Sequence, residues 1–180
     1  MGAMPFEILA PWCDDPREAL RALQAEFVDE NYDLPKLLQE HIDSAKKSVE
    51  YCEQDGDEYG LLDDSRAHLA MLESIASKPI PEAAEERVKI VRKIWQYGGE
   101  GVGNILDITD VTDAGGMFVA RRMLEAEVEQ HLGTSQPTAE EGKELLGKIA
   151  DKLGRAETVC FPVYENDKAV GWWFTGYTLD

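Results

Sequence analysis

Three aspartates at every third position, Asp107, Asp110 and Asp113, are the side chains of this chain whose spacing best suits chemistry. Carboxylates that converge hold a divalent cation or divide acid and base roles between them. Convergence depends on the backbone. In a helical turn the three fall together, whereas in a strand Asp110 points away from Asp107 and Asp113. The glycine-rich stretch 98–103 just before them precedes a strand-like run and lacks the lysine of a phosphate-binding loop. His41, His68 and His131 lie on separate predicted helices and form no HxxxH or HExxH pair. His131 stands one turn from Glu127 and continues an apolar stripe, the usual place of a hydrogen-bonded core histidine. There is no Gly-x-Ser-x-Gly elbow. A cysteine–histidine pair stays open, because such partners meet in space rather than in sequence. No catalytic residue, metal ligand or cofactor is therefore assigned. Whether the chain is an enzyme is left open, with the balance towards not.

Two short segments resemble known motifs. Phe6–Pro16, with Trp12-Cys13-Asp14-Asp15-Pro16, is locally similar to the active-site strand and turn of thioredoxins. That chemistry needs a thiolate at a helix start and a second thiol three residues on. Pro16 stands at the second thiol's position, and Asp14 and Asp15 oppose a thiolate at Cys13. Asp55–Arg66 resembles a calcium-binding EF-hand loop, with acids at its first and third positions and Gly60 at its sixth. Tyr59 and Arg66 stand at the fifth and twelfth positions, where the loop needs oxygen ligands, the last a bidentate glutamate. The bland reading of the first segment is an apolar N-terminal strand packing Trp12. For the second it is an acidic interhelical loop.

The charge is the strongest global signal. The 180 residues carry 36 Asp plus Glu against 18 Lys plus Arg, a net of −18. Residues 1–80 hold 18 acids and 7 bases, and residues 81–180 hold 18 and 11, so the acidity is no tail. Such a surface repels nucleic acid and anionic membrane and attracts basic proteins or cations. With 43% apolar residues the chain has material for a core. No apolar run is long enough to span a bilayer, and the first residues lack the basic and apolar regions of a secretory signal. Cys13, Cys52 and Cys160 are too few and too scattered for a disulfide framework. A cytoplasmic location is expected.

These residues must be positioned by an α+β chain: four amphipathic helices, then a strand, two helices and a C-terminal antiparallel hairpin. Asp14-Asp15-Pro16 starts the first helix, with Leu20, Leu23 and Phe27 on one face. Pro35 opens the second, striped by Leu38, Ile42, Ala45, Val49 and Cys52. Asp63 or Asp64 caps the third, which buries Leu62, Leu69, Leu72 and Ile75. The fourth carries Ala84, Val88, Val91 and Trp95 and stops at Gly98-Gly99. Residues 102–111 read as a strand. Gly115-Gly116 leads into a fifth helix with Met117, Leu124, Val128 and His131 on one face. Thr138 and Glu141 form the capping box of a sixth. Residues 157–164 and 168–179 flank Asn166-Asp167, a hairpin turn. Pro162 places the first of these strands at a sheet edge. A single domain over 1–180 is expected, with a sub-boundary near 98 dividing a helical part (5–97) from an α/β part (98–180).

Function follows from charge and from missing motifs. The first expectation is a non-enzymatic acidic protein that neutralises a basic protein partner, as an immunity protein or an antagonist of a nucleic-acid-binding protein does. Its contact residues are expected among Asp55, Asp57, Glu58, Asp63, Asp64, Asp107, Asp110 and Asp113, with Trp172, Trp173 and Tyr177 as aromatic anchors. The alternatives are a small enzyme or metal-binding protein with a carboxylate-lined cleft around Asp107, Asp110 and Asp113, and a structural or regulatory subunit of an oligomer. The last leaves a homo-oligomer open, joined through the aromatic hairpin.

Overall fold

The computed structural model describes residues 4–57, 60–95 and 104–178. The chain divides into two compact units, one of Met1–Glu26 and Glu100–Asp180, the other of Phe27–Gly99. The second crossing lies between Gly99 and Glu100. The first falls inside a helix, where no change of composition marks it.

The first unit is built on a mixed five-stranded sheet. Its strands are β1 (Pro5–Pro11), β2 (Asp110–Thr112), β3 (Val119–Arg122), β4 (Thr158–Glu165) and β5 (Lys168–Tyr177). The order across the sheet is β1-β5-β4-β3-β2. β5 is antiparallel to both its neighbours, and β2, β3 and β4 are mutually parallel. β4 and β5 join through Asn166 and Asp167, at φ 50° and 62°, the twist a two-residue hairpin requires. Strand alternation divides the aromatic residues of β5 between faces. Trp173 enters a core with Phe161, Val163 and Val159, covered by Val128 of α5 (Glu125–Leu132) and Leu145 and Ile149 of α7 (Leu145–Ile149). Between them α6 (Ala139–Gly142) starts on the Thr138–Glu141 capping box. Trp172, Phe174 and Cys160 are buried on the opposite face.

The α+β class holds, and five details of the expected order do not. A strand, β1, opens the chain ahead of the helices, and the sheet is mixed rather than a lone hairpin. Within 102–111, the residues from 104 onward form a 3-10 turn at Ile105–Asp107 and then short β2. Asn104 caps the turn by accepting the Leu106 N–H at 2.9 Å, and Ile105, Leu106 and Ile108 bury their branched side chains without a strand. Gly115 and Gly116 do not lead into a helix. Gly115, at φ 69°, lies so close to β3 that a Cβ there would sit 2.6 Å from Arg121 Cβ. The chain turns into β3, leaving Met117 64% exposed, and the helix starts only at Glu125. Finally, Pro162 lies in an interior strand. β3 pairs with β4 only from Thr158 to Cys160. Alternate residues of a strand bond to the same side, so the missing N–H of Pro162 falls beyond the end of β3.

α1 (Pro16–Asn31) begins as its residues predict. Asp15 accepts the Arg17 N–H at 2.9 Å, and its carbonyl accepts from Glu18 and Ala19. Within the first unit this helix is tied to the β2 edge. Buried Gln24 donates to the carbonyls of Ile105 (3.0 Å) and Ile108 (2.7 Å), and Arg17 Nε donates to that of Val111 (2.9 Å).

The second unit contains α2 (Leu34–Gln54), α3 (Leu62–Ala76) and α4 (Ala84–Trp95) around Leu38, Ile42, Ala45, Leu72 and Ile94. Asp33 caps α2, with Pro35 in its first turn. α3 lacks the expected cap from Asp63 or Asp64, which lie inside its first turn. Asp57 reaches forward instead and accepts the Leu62 N–H at 2.9 Å. Gly98 and Gly99 lie outside the described residues.

Candidate binding cleft at the strand ends

β1, β2, β3 and β4 run in one direction, since β1 and β4 are each antiparallel to β5. Their carboxyl ends share one rim of the sheet, the rim where open sheets with parallel strands bind ligands. A cleft of about 530 Å³ opens there, within the ~300–1,000 Å³ of small-ligand sites. Trp12 and Asp14 enter it from the turn after β1, Asp113 from the end of β2, and Arg122 to Glu125 from the junction of β3 with α5. Pro162 and Tyr164 contribute from β4 and Trp172 from β5.

Two indoles form its wall. The rings of Trp12 and Trp172 stack at 5.5 Å and 11°. Trp172 is buried and donates its Nε1–H to the Cys13 carbonyl at 2.9 Å, while Trp12 remains 40% exposed. The Arg122 guanidinium lies 5.5 Å from the centre of the Trp172 ring, a cation–π contact. Met123, Val128 and Pro162 give the cleft an apolar floor, and Asp14, Asp113 and Glu125 give it three carboxylates. Among the described residues none of these three carboxylates has an ion-pair or hydrogen-bond partner.

The junction that carries Met123 to Glu125 is braced. The Met123 N–H donates to the Cys160 carbonyl at 2.9 Å. Arg121 holds both oxygens of Glu127 at 3.0 and 2.9 Å, and Glu127 accepts the Leu124 N–H at 3.0 Å. The Leu124 N–H and the Arg121 guanidinium hold the Glu127 carboxyl below its usual pKa against a smaller opposing effect of burial.

The residues singled out in the sequence are dispersed. Only Asp113 and Trp172 meet in the cleft. Asp107 is buried in the 3-10 turn. Asp110 pairs with Arg17 at 3.2 Å and accepts the Val111 N–H. The described residues hold no group of three His, Cys, Asp or Glu side chains able to ligate a metal. Asp55 lies at the end of α2 and Asp63 and Asp64 at the start of α3; Glu58 lies outside the described residues. Arg66, in the EF-hand-like segment, pairs with Glu53 at 2.8 Å. Trp173 belongs to the core, and Tyr177 lines a separate depression with Glu7 and Lys143. Cys13 follows β1 and donates its S–H to the Asp15 carbonyl at 3.0 Å. Burial pushes the Cys160 thiol up to about 12.

Sequence reasoning missed Trp12, Asp14, Arg122, Glu125 and Tyr164 as site residues. Trp12 and Asp14 drew notice only beside Cys13 and at the start of the first helix. No helix of the described residues is long and apolar enough to cross a membrane. The chain matches no family model, no curated protein and no solved structure.

Proposed function

We propose that this chain is a non-enzymatic binding protein whose acidic surface meets a basic protein partner. The observation that carries the reading is the set of carboxylates around the cleft, Asp14, Asp113 and Glu125, which have no ion-pair partner among the described residues and stand beside an exposed indole. Unpaired carboxylates on a chain of net charge −18 create a negative field that speeds the encounter with a positive surface. Of Asp107, Asp110 and Asp113, only Asp113 lines the cleft. The functional forms that suit this chemistry are an immunity protein guarding against a basic toxin and an antagonist that occupies a nucleic-acid-binding cleft with carboxylates in place of phosphates.

The test is capture by the immobilised full chain from native lysate at low ionic strength, eluted with a salt gradient and identified by mass spectrometry. A basic protein retained in stoichiometric amount and released by salt is the expected result, because screening shortens the reach of surface charges to about 10 Å at 0.1 M. The Asp14→Asn, Asp113→Asn double variant should release it at lower salt. Retention that ignores ionic strength, or no retained protein at all, would sink the reading.

A further inference from the structure

We propose that the strand-end cleft seats an arginine or lysine side chain, laid against the exposed indole of Trp12 with its charge met by Asp14, Asp113 and Glu125. This rests on the reading of a basic partner and names the group that the partner inserts. Three independent features of the cleft converge on that ligand. The apolar floor of Met123, Val128 and Pro162 suits the aliphatic stem of a long basic side chain. The indole of Trp12, stacked on Trp172 and 40% exposed, offers a π surface, and tryptophan is the best cation–π partner among the side chains. The carboxylates supply the acceptors a guanidinium or ammonium needs.

The protein's own Arg122 supplies the second line of argument. Its guanidinium already rests over the Trp172 ring, with no carboxylate partner among the described residues. One indole of the wall thus holds a cation by the contact proposed for the other. The remaining lining carries three acids against that one base, so a second cation is favoured and an anion disfavoured. The cleft, at about 530 Å³, is roomy enough for the flanking backbone of a short peptide as well as the side chain.

The experiment is a titration of the full chain with Nα-acetyl-arginine amide, followed by the indole N–H resonances and by tryptophan fluorescence. The isosteric but uncharged citrulline amide and Nα-acetyl-glutamate amide serve as controls. Saturable binding of the arginine and lysine amides is expected, with shifts centred on Trp12 and none from the controls. Trp12→Ala should weaken binding about tenfold, the loss of roughly one cation–π contact. Trp12→Phe, which retains a ring, should lose less. Asp113→Asn should weaken binding without changing the unfolding midpoint. Arg122→Gln, which removes a competing cation, should tighten it. Binding of the glutamate amide that disappears in Arg122→Gln would overturn the proposal in favour of an anion site. Equal binding of arginine and citrulline amides would overturn it too. If the arginine amide fails to bind while a basic partner is still captured and released by salt, the cleft assignment falls and the broader reading stands. If it binds while no basic protein is captured at low salt, the broader reading falls and the cation site stands.

Discussion

Two acidic regions of this molecule use their carboxylates differently. At the turn between α2 and α3, Asp57 fixes the Leu62 N–H, Glu53 pairs with Arg66, and Asp63 sits in the first turn of α3, where the helix dipole favours an acid. At the carboxyl ends of the strands, Asp14 and Asp113 face a cleft with no partner among the described residues, and Glu125 joins them from the first turn of α5. Net charge does not separate the regions. The unit holding the cleft has 20 acids and 9 bases, a net of −11, and the other has 16 and 9, a net of −7. The difference lies in what each carboxylate already does. An acid that caps a helix or neutralises an arginine has its interaction energy committed to the fold, and one that holds nothing is free to meet a ligand.

The largest break in this contrast comes from the wall of the cleft. Trp172→Ala removes a buried indole, its bond to the Cys13 carbonyl and its stack with Trp12, and should cost about 4 kcal/mol in denaturant unfolding. Trp173→Phe on the other face is the matched control. Its Nε1–H has no acceptor among the described residues, so the exchange should cost less than half as much.

A smaller effect separates the carboxylates themselves. Asp57→Ala should lose about 1 kcal/mol, the usual worth of a side-chain cap. Asp113→Ala should stay within about 0.5 kcal/mol of the parent. Equal costs in the same unfolding assay would erase the distinction drawn between the two regions.

Acid should loosen the two units by different groups. Burial lowers the pKa of His41, which packs edge-on to Trp95 at 4.9 Å, and that of His68, with the charge of His41 adding to the effect at His68. A lowered folded pKa means that the unfolded chain binds protons first. The histidine contribution is therefore complete above pH 6.5 and is lost as pH falls through the folded values. Glu127 follows the same sign at lower pH. Its contribution is complete above the ordinary carboxyl range and is lost as pH falls through its depressed value. Amide exchange across a pH series should show α2 and α3 losing protection before α5. The reverse order would contradict it. The smallest expected effect is that of Asp63→Asn, about 0.3 kcal/mol from the helix dipole, read from the same unfolding curves.

The local parts of the fold were legible. Asp15-Pro16, Pro35, Thr138-Glu141 and Asn166-Asp167 each encode their own turn, helix start or cap through side-chain reach and preferred φ, needing no distant partner. The alternation of Trp172, Trp173 and Phe174 gave the two faces of β5. What failed depended on tertiary context. Ile105, Leu106 and Ile108 are branched and apolar, and burial in a turn satisfies them as well as burial in a strand. Gly115 and Gly116 were read as the approach to a helix, and the closeness of β3 decided otherwise. The cleft was almost invisible because residues 12, 14, 113, 122, 125, 164 and 172 are joined only by the sheet order. Charge and aromaticity marked Asp113 and Trp172, and no local spacing connects them.

A matched pair of double variants tests the central claim most directly. Asp14→Asn with Asp113→Asn alters the cleft, and Asp55→Asn with Asp63→Asn makes the same charge change at the turn between α2 and α3. Each is titrated with Nα-acetyl-arginine amide at one fixed ionic strength. The account predicts that the cleft pair loses at least tenfold in affinity, about 1.4 kcal/mol, while the turn pair binds as the parent does. Equal losses in both would mean that the ligand reads overall charge alone, and the cleft would have no special claim to it.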